Sequence, residues 1–253
     1  MRTVVLFLAL ICPGLQFNEA PSVKEASVLQ TIGDRIAELL EKLSNQERTE
    51  GDGRIALEEP STDVQKQVRA RLIDLARESS EGRASVITVL IEIVDDPGEE
   101  PQFGIAHRWV CAADVLGAIK AEEAVDVLVR NIRKEGMRGI GSNSRPAAFA
   151  LAEIDKPAIP RLIKALSNED KITRMEAANV LVRIGESAVP ALYDTLLNGE
   201  PSLKAGAALA LGWMGGMKAR LAIEQAIEIE SDDEVKRDLQ DSLKEMRRYW
   251  GEN

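Results

Sequence analysis

The stretch EDKITRMEAANVLVRIGESAVPALYDTLLNG, residues 169–199, decides the fold. Its apolar residues recur at steps of three and four, which predicts two short helices joined by a tight turn. Related units lie at residues 106–132, 142–166 and 200–227. A pair of helices about 30 residues long is too small to bury its apolar face alone, so a repeated pair predicts stacked units that share one core.

An Ala-Ala pair marks the core face of each unit, and successive pairs are 35, 30 and 30 residues apart. A leucine follows the first alanine by four residues, and isoleucine or methionine follows by seven, which places all of them on one helical face. Small alanines let a neighbouring helix approach closely. The four sets are Ala112, Ala113, Leu116 and Ile119; Ala147, Ala148, Leu151 and Ile154; Ala177, Ala178, Leu181 and Ile184; Ala207, Ala208, Leu211 and Met214.

Composition supports an all-α fold and limits the partners. The 253-residue chain is 45% hydrophobic but only 4% aromatic, which suits closely packed helices better than a β-sandwich. Its net charge of −10 disfavours general nucleic-acid binding and a polybasic membrane patch.

Residues 1–20, MRTVVLFLALICPGLQFNEA, have the pattern of a secretory signal peptide. Residues 4–12 are apolar but too few to span a bilayer, so no stable membrane insertion is expected after removal of the signal. The cleavage site is poor because Asn18 stands where a small residue is preferred, and a buried or disordered tail is the alternative. The expected location is secreted or periplasmic, and Ile11 disfavours lipidation of Cys12.

The remaining chain is divided by composition into an N-terminal helix (residues 21–43), a polar linker (44–62), the solenoid (63–250) and a short tail (251–253). Thr62 or Asp63 is expected to cap the first solenoid helix, and Gly82 to interrupt it. The run of residues 84–94 is rich in β-branched residues and permits a strand, but its place between helices favours a helix.

Along these repeats the chain resembles HEAT-repeat proteins, in particular their short-period, phycobilisome-lyase-like subgroup. The matching pattern is a basic residue before an Ala-Ala pair and Leu-Gly or its equivalent, carried here by Arg108, Arg174 and Lys204. The resemblance implies a HEAT-like α-solenoid, a right-handed superhelix of stacked antiparallel helix pairs. It also implies that the basic residues belong to a structural ladder, in which Arg174 pairs near Asp170.

Two enzyme groups share the fold that this resemblance implies. The HEAT-like di-iron hydroxylases carry repeated His-Glu pairs, whereas this chain has one histidine, His107. Bilin lyase subunits act on cytoplasmic pigment proteins, which conflicts with an export signal. We therefore expect a protein without enzymatic activity, catalytic residues, cofactor or metal, and a bilin-lyase-type enzyme subunit is the alternative.

Few other residues suggest a catalytic, metal-binding or phosphate-binding role. His107 and Cys111 lie one helical turn apart and permit a base–nucleophile pair, but a helix-start histidine beside a buried cysteine is the favoured interpretation. The acidic loop around residues 95–100 lacks the order of a calcium-binding loop. The glycine-rich insertion, residues 134–144, lacks a phosphate-binding pattern and is interpreted as a flexible edge of the array.

The side of each first helix opposite the Ala-Ala pair is the candidate binding surface. By the fold resemblance this side lines the concave surface of the solenoid. Its apolar members stand where solvent is expected, which is typical of a surface for a protein or peptide partner. For Trp213, packing against the terminal repeat is the alternative. The predicted partner-binding residues are Phe149, Glu153, Asn179, Arg183, Leu209 and Trp213.

The leading hypothesis is thus a non-enzymatic, extracytoplasmic scaffold that binds a protein or peptide. The sequence does not distinguish this hypothesis from a purely structural role as a domain within an envelope assembly.

Overall fold

The computed structural model describes residues 23–43, 46–49, 55–58, 61–95, 103–133 and 145–251. The predicted signal peptide, nearly all of the acidic loop and the glycine-rich insertion lie outside these residues, as does the side chain of His107. The described chain is mainly helical, and short 3₁₀ turns precede α5, α7 and α9. The helices are α1 Val23–Glu41, α2 Thr62–Glu78, α3 Ser80–Asp95, α4 Phe103–Ala118, α5 Val125–Arg130, α6 Pro146–Ile154, α7 Ile159–Ala165, α8 Lys171–Ile184, α9 Val189–Asn198, α10 Pro201–Met214, α11 Gly216–Ile229 and α12 Asp233–Trp250.

The chain divides into two compact units, Met1–Val127 with Glu135–Pro146 and Leu128–Lys134 with Ala147–Asn253. The prediction of one domain over residues 63–250 stays a prediction.

Within the second unit, the helices stack in two rows. The first helices of successive pairs, α8, α10 and α12, contact one another in order, and the second helices α7, α9 and α11 do the same. All eight alanines of the Ala-Ala pairs are buried, as are the four leucines that follow them, while Ile184 and Met214 are half-buried. The prediction of an all-α, HEAT-like solenoid is confirmed.

The turn inside each pair repeats as regularly as the helices. Asp155, Gly185 and Gly215, each 30 residues from the next, directly follow α6, α8 and α10 with φ of 70°, 74° and 71°. Glycine adopts positive φ without steric cost, and aspartate tolerates it better than most residues. This residue reverses the chain so that the second helix packs back on the first.

The N-terminal helix belongs to the first unit. Helix α1 packs on α2 and α3, burying Ile36, Leu40 and Leu43. The guanidinium group of Arg35 lies 3.2 Å from the carboxylate of Glu78 at the end of α2. The amphipathic pattern of residues 29–43 therefore corresponds to a helix folded back on the array, rather than to a separate arm.

Three local expectations need correction. The N-cap of α2 is Ser61, whose hydroxyl accepts from the Val64 amide at 3.3 Å, rather than Thr62 or Asp63. Gly82 lies inside α3, where a Cβ would stand 2.5 Å from the Leu75 carbonyl oxygen, so this glycine permits close packing and does not break the helix.

The segment interpreted as a polar linker contains a β-hairpin, β1 Gln46–Thr49 and β2 Ile55–Glu58, paired antiparallel with Gln46 opposite Glu58. Neither strand shows a sustained alternation of apolar residues, which is why the pattern did not reveal them. The run of residues 84–94 is helical as predicted, in α3.

Close packing between α7 and α10 predicts opposite effects of the same substitution at two helical glycines. A Cβ on Gly206 would stand 2.6 Å from the Leu166 Cβ, whereas a Cβ on Gly33 has nothing within 4 Å. We expect Gly206→Ala to lower the free energy of unfolding by about 1–3 kcal/mol through overpacking. Gly33→Ala should raise it by about 0.5–1 kcal/mol through helix propensity. Urea unfolding followed by circular dichroism measures both, and equal effects would contradict the packing argument.

Candidate functional site

A cleft of about 600 Å³ opens on the second unit, between the first helices α8 and α10 and the terminal helix α12. We call it the terminal cleft. Its walls on α8 and α10 are Asn179, Val182, Leu209, Gly212 and Trp213. Because these helices present their alanines to the core, the opposite side chains point away from it and form the wall.

Three of the six predicted site residues, Asn179, Leu209 and Trp213, thus meet in one cleft. Asn179 is exposed, and Leu209 and Trp213 are half-buried. They stand 30 and 34 residues apart in the sequence and come together because their helices occupy the same place in successive repeats. Trp213 also faces the terminal repeat, as the alternative interpretation expected.

Phe149 and Arg183 form a second contact beside the cleft. The Phe149 ring is 45% exposed, and the Arg183 guanidinium carbon lies 4.0 Å from its centroid. At an exposed site such a cation–π contact contributes about 0.5–1 kcal/mol. Arg183 is one helical turn from Asn179, so the stacked pair extends the same surface. Glu153 is exposed on α6, and the structure does not place it among the residues that line the cleft.

The other wall of the cleft was missed by sequence reasoning. Helix α12 contributes Asp241, Ser242, Glu245, Met246 and Tyr249. Helix α12 is amphipathic, and its apolar stripe, Val235, Leu239 and Met246, is buried. The signal available in the sequence was an aromatic residue, Tyr249, at the edge of that stripe. In the structure Tyr249 is 80% exposed.

The last turn of α12 is anchored by Trp250. Its indole Nε1 donates to the Gly212 carbonyl at 3.3 Å, and its ring lies against Gly215, where a Cβ would come within 2.4 Å of it. The terminal helix is thereby held against α10.

The cleft is lined by both apolar and polar side chains, and the polar ones include carboxylates. Asp241 and Glu245 supply carboxylates, and Asn179 and Ser242 supply hydrogen-bonding groups. The Glu245 carboxylate lies 3.8 Å from Arg248, an exposed pair that contributes little to stability. An apolar pocket with a few polar groups is the usual form of a ligand site.

Arg174 binds the turn beside Asp170, but through main-chain carbonyls and not through an acidic side chain. Its guanidinium donates to the main-chain carbonyls of Asn168 and Glu169, at 2.6 and 2.9 Å, rather than to Asp170. Asp170 instead caps α8, accepting from the Thr173 amide and hydroxyl at 2.9 and 2.7 Å, and these hydrogen bonds lower its pKa. Arg174 therefore braces the turn and is not part of the cleft.

Lys204 has the structural role that the family resemblance implied for these basic residues, because it pairs with a carboxylate at a turn. Its ammonium group lies 2.6 Å from the carboxylate of Glu230, with the two side chains only 17% and 8% exposed. Glu230 also accepts from the amides of Ser231 and Asp232, at 2.9 and 3.0 Å. The hydrogen bond from Lys204, followed by those from the backbone, lowers the pKa of Glu230 below its ordinary value of 4.5.

This arrangement makes stability depend on pH. Because the pKa of Glu230 is lower in the folded chain than in the unfolded chain, Glu230 contributes to stability above about pH 4.5, and this contribution is lost as the pH falls through its pKa in the folded chain.

We expect Glu230→Gln to lower the free energy of unfolding at pH 7 by about 2 kcal/mol. The difference from the wild type should shrink at pH 3.5. Urea titrations at the two pH values measure it, with Glu228→Gln, an exposed carboxylate in the last turn of α11, as the control; a constant difference would contradict the assignment.

Cys111 is buried in α4, and burial raises the pKa of its thiol to about 12, with the nearby Asp114 charge adding to the effect. A thiol is nucleophilic as the thiolate, so this cysteine is protonated at neutral pH and inert in this environment. Cys111 therefore does not support the interpretation of His107 and Cys111 as a base–nucleophile pair.

Among the described residues, no three histidine, cysteine, aspartate or glutamate side chains cluster as metal ligands. In the same part of the chain, every helix is too short or too polar to cross a membrane.

Comparison with sequence models of known families supports the repeat. The sequence model of a family described as HEAT repeats matches residues 144–203, which confirms the resemblance to HEAT-repeat proteins. Human deoxyhypusine hydroxylase in complex with glycerol matches with 17% identity and a TM-score of 0.32, over 98% of each chain. The complex of CpcE and CpcF of phycocyanin lyase from Nostoc sp. PCC7120 matches with 16% identity and a TM-score of 0.32, over 94% of this chain and 93% of that one. No curated protein matches the sequence.

These comparisons correct one prediction. Both solved structures are of enzymes or enzyme subunits, a hydroxylase and a lyase, so the expectation of a protein without enzymatic activity is wrong and is withdrawn. At 16–17% identity and a TM-score of 0.32, neither structure assigns an activity to this chain.

Proposed function

We propose that this chain, whose residues 144–203 match HEAT repeats, binds a protein or peptide partner in the terminal cleft. The observation that carries the proposal is the meeting of Asn179, Leu209 and Trp213 with the α12 wall in one cleft of about 600 Å³. That volume lies within the usual range of ligand pockets, about 300–1,000 Å³.

The chemistry of the cleft suits a peptide with an apolar anchor. Leu209 and Trp213 supply the apolar wall, and Tyr249 supplies an exposed aromatic edge. Tryptophan and tyrosine are the residues most often found at the energetic centre of interfaces, because they bury large areas with few rotatable bonds. The Asn179 amide is placed to hydrogen-bond a main chain, and Asp241 to meet a basic group of the partner.

The stacked pair Phe149 and Arg183 extends the proposed surface along α6 and α8. In this position the exposed ring and the guanidinium offer a flat face that a partner residue covers without displacing the core. Glu153 remains part of the proposed surface as an outer polar contact.

Substitution of the central tryptophan tests the site. Peptides are selected from a random library on the wild-type protein, and their dissociation constants are measured by calorimetry. We expect Trp213→Ala to weaken binding at least tenfold, because it removes the largest apolar wall of the cleft. Circular dichroism should remain helical.

Tyr193→Ala is the matched control, since Tyr193 is a partly exposed aromatic residue on α9 outside the cleft. Its affinity should stay within about twofold of the wild type. Equal loss in both variants, or no peptide enriched on the wild type over Trp213→Ala, would contradict the proposal.

The proposed location is extracytoplasmic, on the basis of the apolar run at residues 4–12. The full chain produced in a secretion-competent bacterium should appear outside the cytoplasm with about 20 residues removed, as measured by fractionation and mass spectrometry. Leu8→Arg, which interrupts the apolar run, should leave the precursor uncut in the cytoplasm. Identical mass and location of the two proteins would refute export.

A further inference from the structure

Helix α12 carries its acidic and basic residues on different sides. With the exception of Asp233 in the first turn, the acidic residues recur at steps of three and four and form one row along the helix. Most of the basic residues lie about 100° away round the helix. The acidic row is Glu234, Asp238, Asp241 and Glu245, and the basic residues are Lys236, Arg237, Lys244, Arg247 and Arg248. The acidic row faces the terminal cleft, since Asp241 and Glu245 line it.

Two of the basic residues of α12 are engaged away from the cleft. The Arg247 guanidinium lies 3.0 Å from the Glu224 carboxylate on α11. The Arg237 Nε donates to the Asp233 carbonyl at 3.1 Å. Among the described residues that line the cleft there is no cation, so the α12 wall is negative where it meets the cleft.

Asp241 is the carboxylate of the cleft that a ligand can use directly. It is exposed, and within the described part of the chain it makes no ion pair or side-chain hydrogen bond. Glu245 is a weaker partner for a ligand, because its carboxylate already lies 3.8 Å from Arg248. Both of these side chains are more than two-thirds exposed, so their pair is weak.

The wall opposite α12 is uncharged among the described residues. It is formed by α8 and α10, where Leu209 and Trp213 are half-buried and Asn179 is exposed. Arg183, the cation nearest to Asn179 along α8, does not line the cleft, and its guanidinium carbon lies 4.0 Å from the centroid of the Phe149 ring. The cleft therefore has one uncharged wall with a tryptophan and one wall with carboxylates.

Lysine and arginine are the side chains that complement both walls. Their aliphatic stems cover apolar surface, and their charged ends pair with carboxylates. A cation over the face of a tryptophan or tyrosine ring is attracted to it, and Trp213 and Tyr249 both line the cleft. The net charge of −10 also draws a basic segment towards the chain and repels an acidic one. Charge complementarity thus favours a basic partner.

We propose that the terminal cleft selects a basic peptide segment, in which a lysine or arginine side chain lies along Trp213 and pairs with Asp241. This selection rests on the proposed function of the cleft, to which it adds the charge of the partner and the residue that recognises it. Asp238 continues the acidic row one turn before Asp241, so a second basic residue in the segment is favoured. Acidic peptides and nucleic acids are repelled by the same row.

Three labelled peptides that differ only in charge test this selection, by fluorescence anisotropy with the full chain in about 50 mM salt at neutral pH. Their sequence is Gly-X-Leu-X-Leu-X-Gly, where X is lysine, glutamine or glutamate. We expect the lysine peptide to bind at least about tenfold more tightly than the glutamine peptide, and the glutamate peptide to bind most weakly. Affinity for the lysine peptide should fall as salt is raised. Trp213→Ala should weaken it at least about fivefold, because the ring that covers the cation is lost.

Asp241→Lys should weaken binding of the lysine peptide at least about tenfold and strengthen binding of the glutamate peptide, because a cation then stands in the acidic row. Asp241 is exposed, so circular dichroism should remain helical. If it does not, Asp241→Asn serves instead, with an expected weakening of about threefold. The same substitution at Asp74 is the matched control, since Asp74 is exposed on α2 in the first unit and the net charge changes equally. Its affinities should stay close to those of the wild type.

Equal weakening by the substitutions at Asp241 and Asp74 would overturn the proposal. If the lysine and glutamine peptides bind equally and Trp213→Ala weakens both, the charge selection fails while the proposed function stands. If selection from the random library also enriches no peptide, the proposed function fails as well. A dimer in sedimentation equilibrium that Asp241→Lys dissociates, without binding of the lysine peptide, would place a second copy of this chain in the cleft and likewise overturn the proposal.

Discussion

Close approach of the first helices to the neighbouring helices is the constraint on which the rest of this structure depends. The Ala-Ala pairs are buried, and Gly206 lets α10 come so near to the end of α7 that a single methyl group would collide with Leu166. Small residues contribute little apolar area each, but they let the leucines beside them reach full burial at native packing density. Since this side of each first helix is committed to the stack, its opposite side is left for contact with other molecules.

Polar interactions that hold the scaffold are gathered at the turns. Arg174 binds turn carbonyls, and Arg83 does the same in the first unit with the carbonyls of Ile119 and Lys120, at 2.8 and 3.3 Å. Lys204 and Glu230 pair beside the turn into α12. Such contacts satisfy carbonyls and amides that helix ends leave without partners. At Arg174 and Lys204 they account for the basic residue before the alanine pair, and they leave the terminal cleft to other side chains.

The candidate site was predictable in part. Asn179, Leu209 and Trp213 were deduced from the helical period, because residues two and six positions after the first alanine of each pair point away from the core. The α12 wall was not predicted, since an amphipathic pattern shows which side of a helix is buried but not which helix it packs against. Phe149 and Arg183 were both named for their position, yet only the structure shows the ring under the guanidinium.

By itself the sequence determined the helices, their 30-residue repeat, the buried face of each and the place of the turns, because these follow from local spacing of apolar residues and from turn residues. Even the ambiguous run of residues 84–94 followed its repeat and became a helix. Only the tertiary structure decided the pairing of Lys204 with Glu230, the carbonyl partners of Arg174, the packing of α1 on α2 and α3, and the union of α8, α10 and α12 around one cleft. These contacts join residues of different helices, and stacking selects among several partners that are equally compatible with the local pattern.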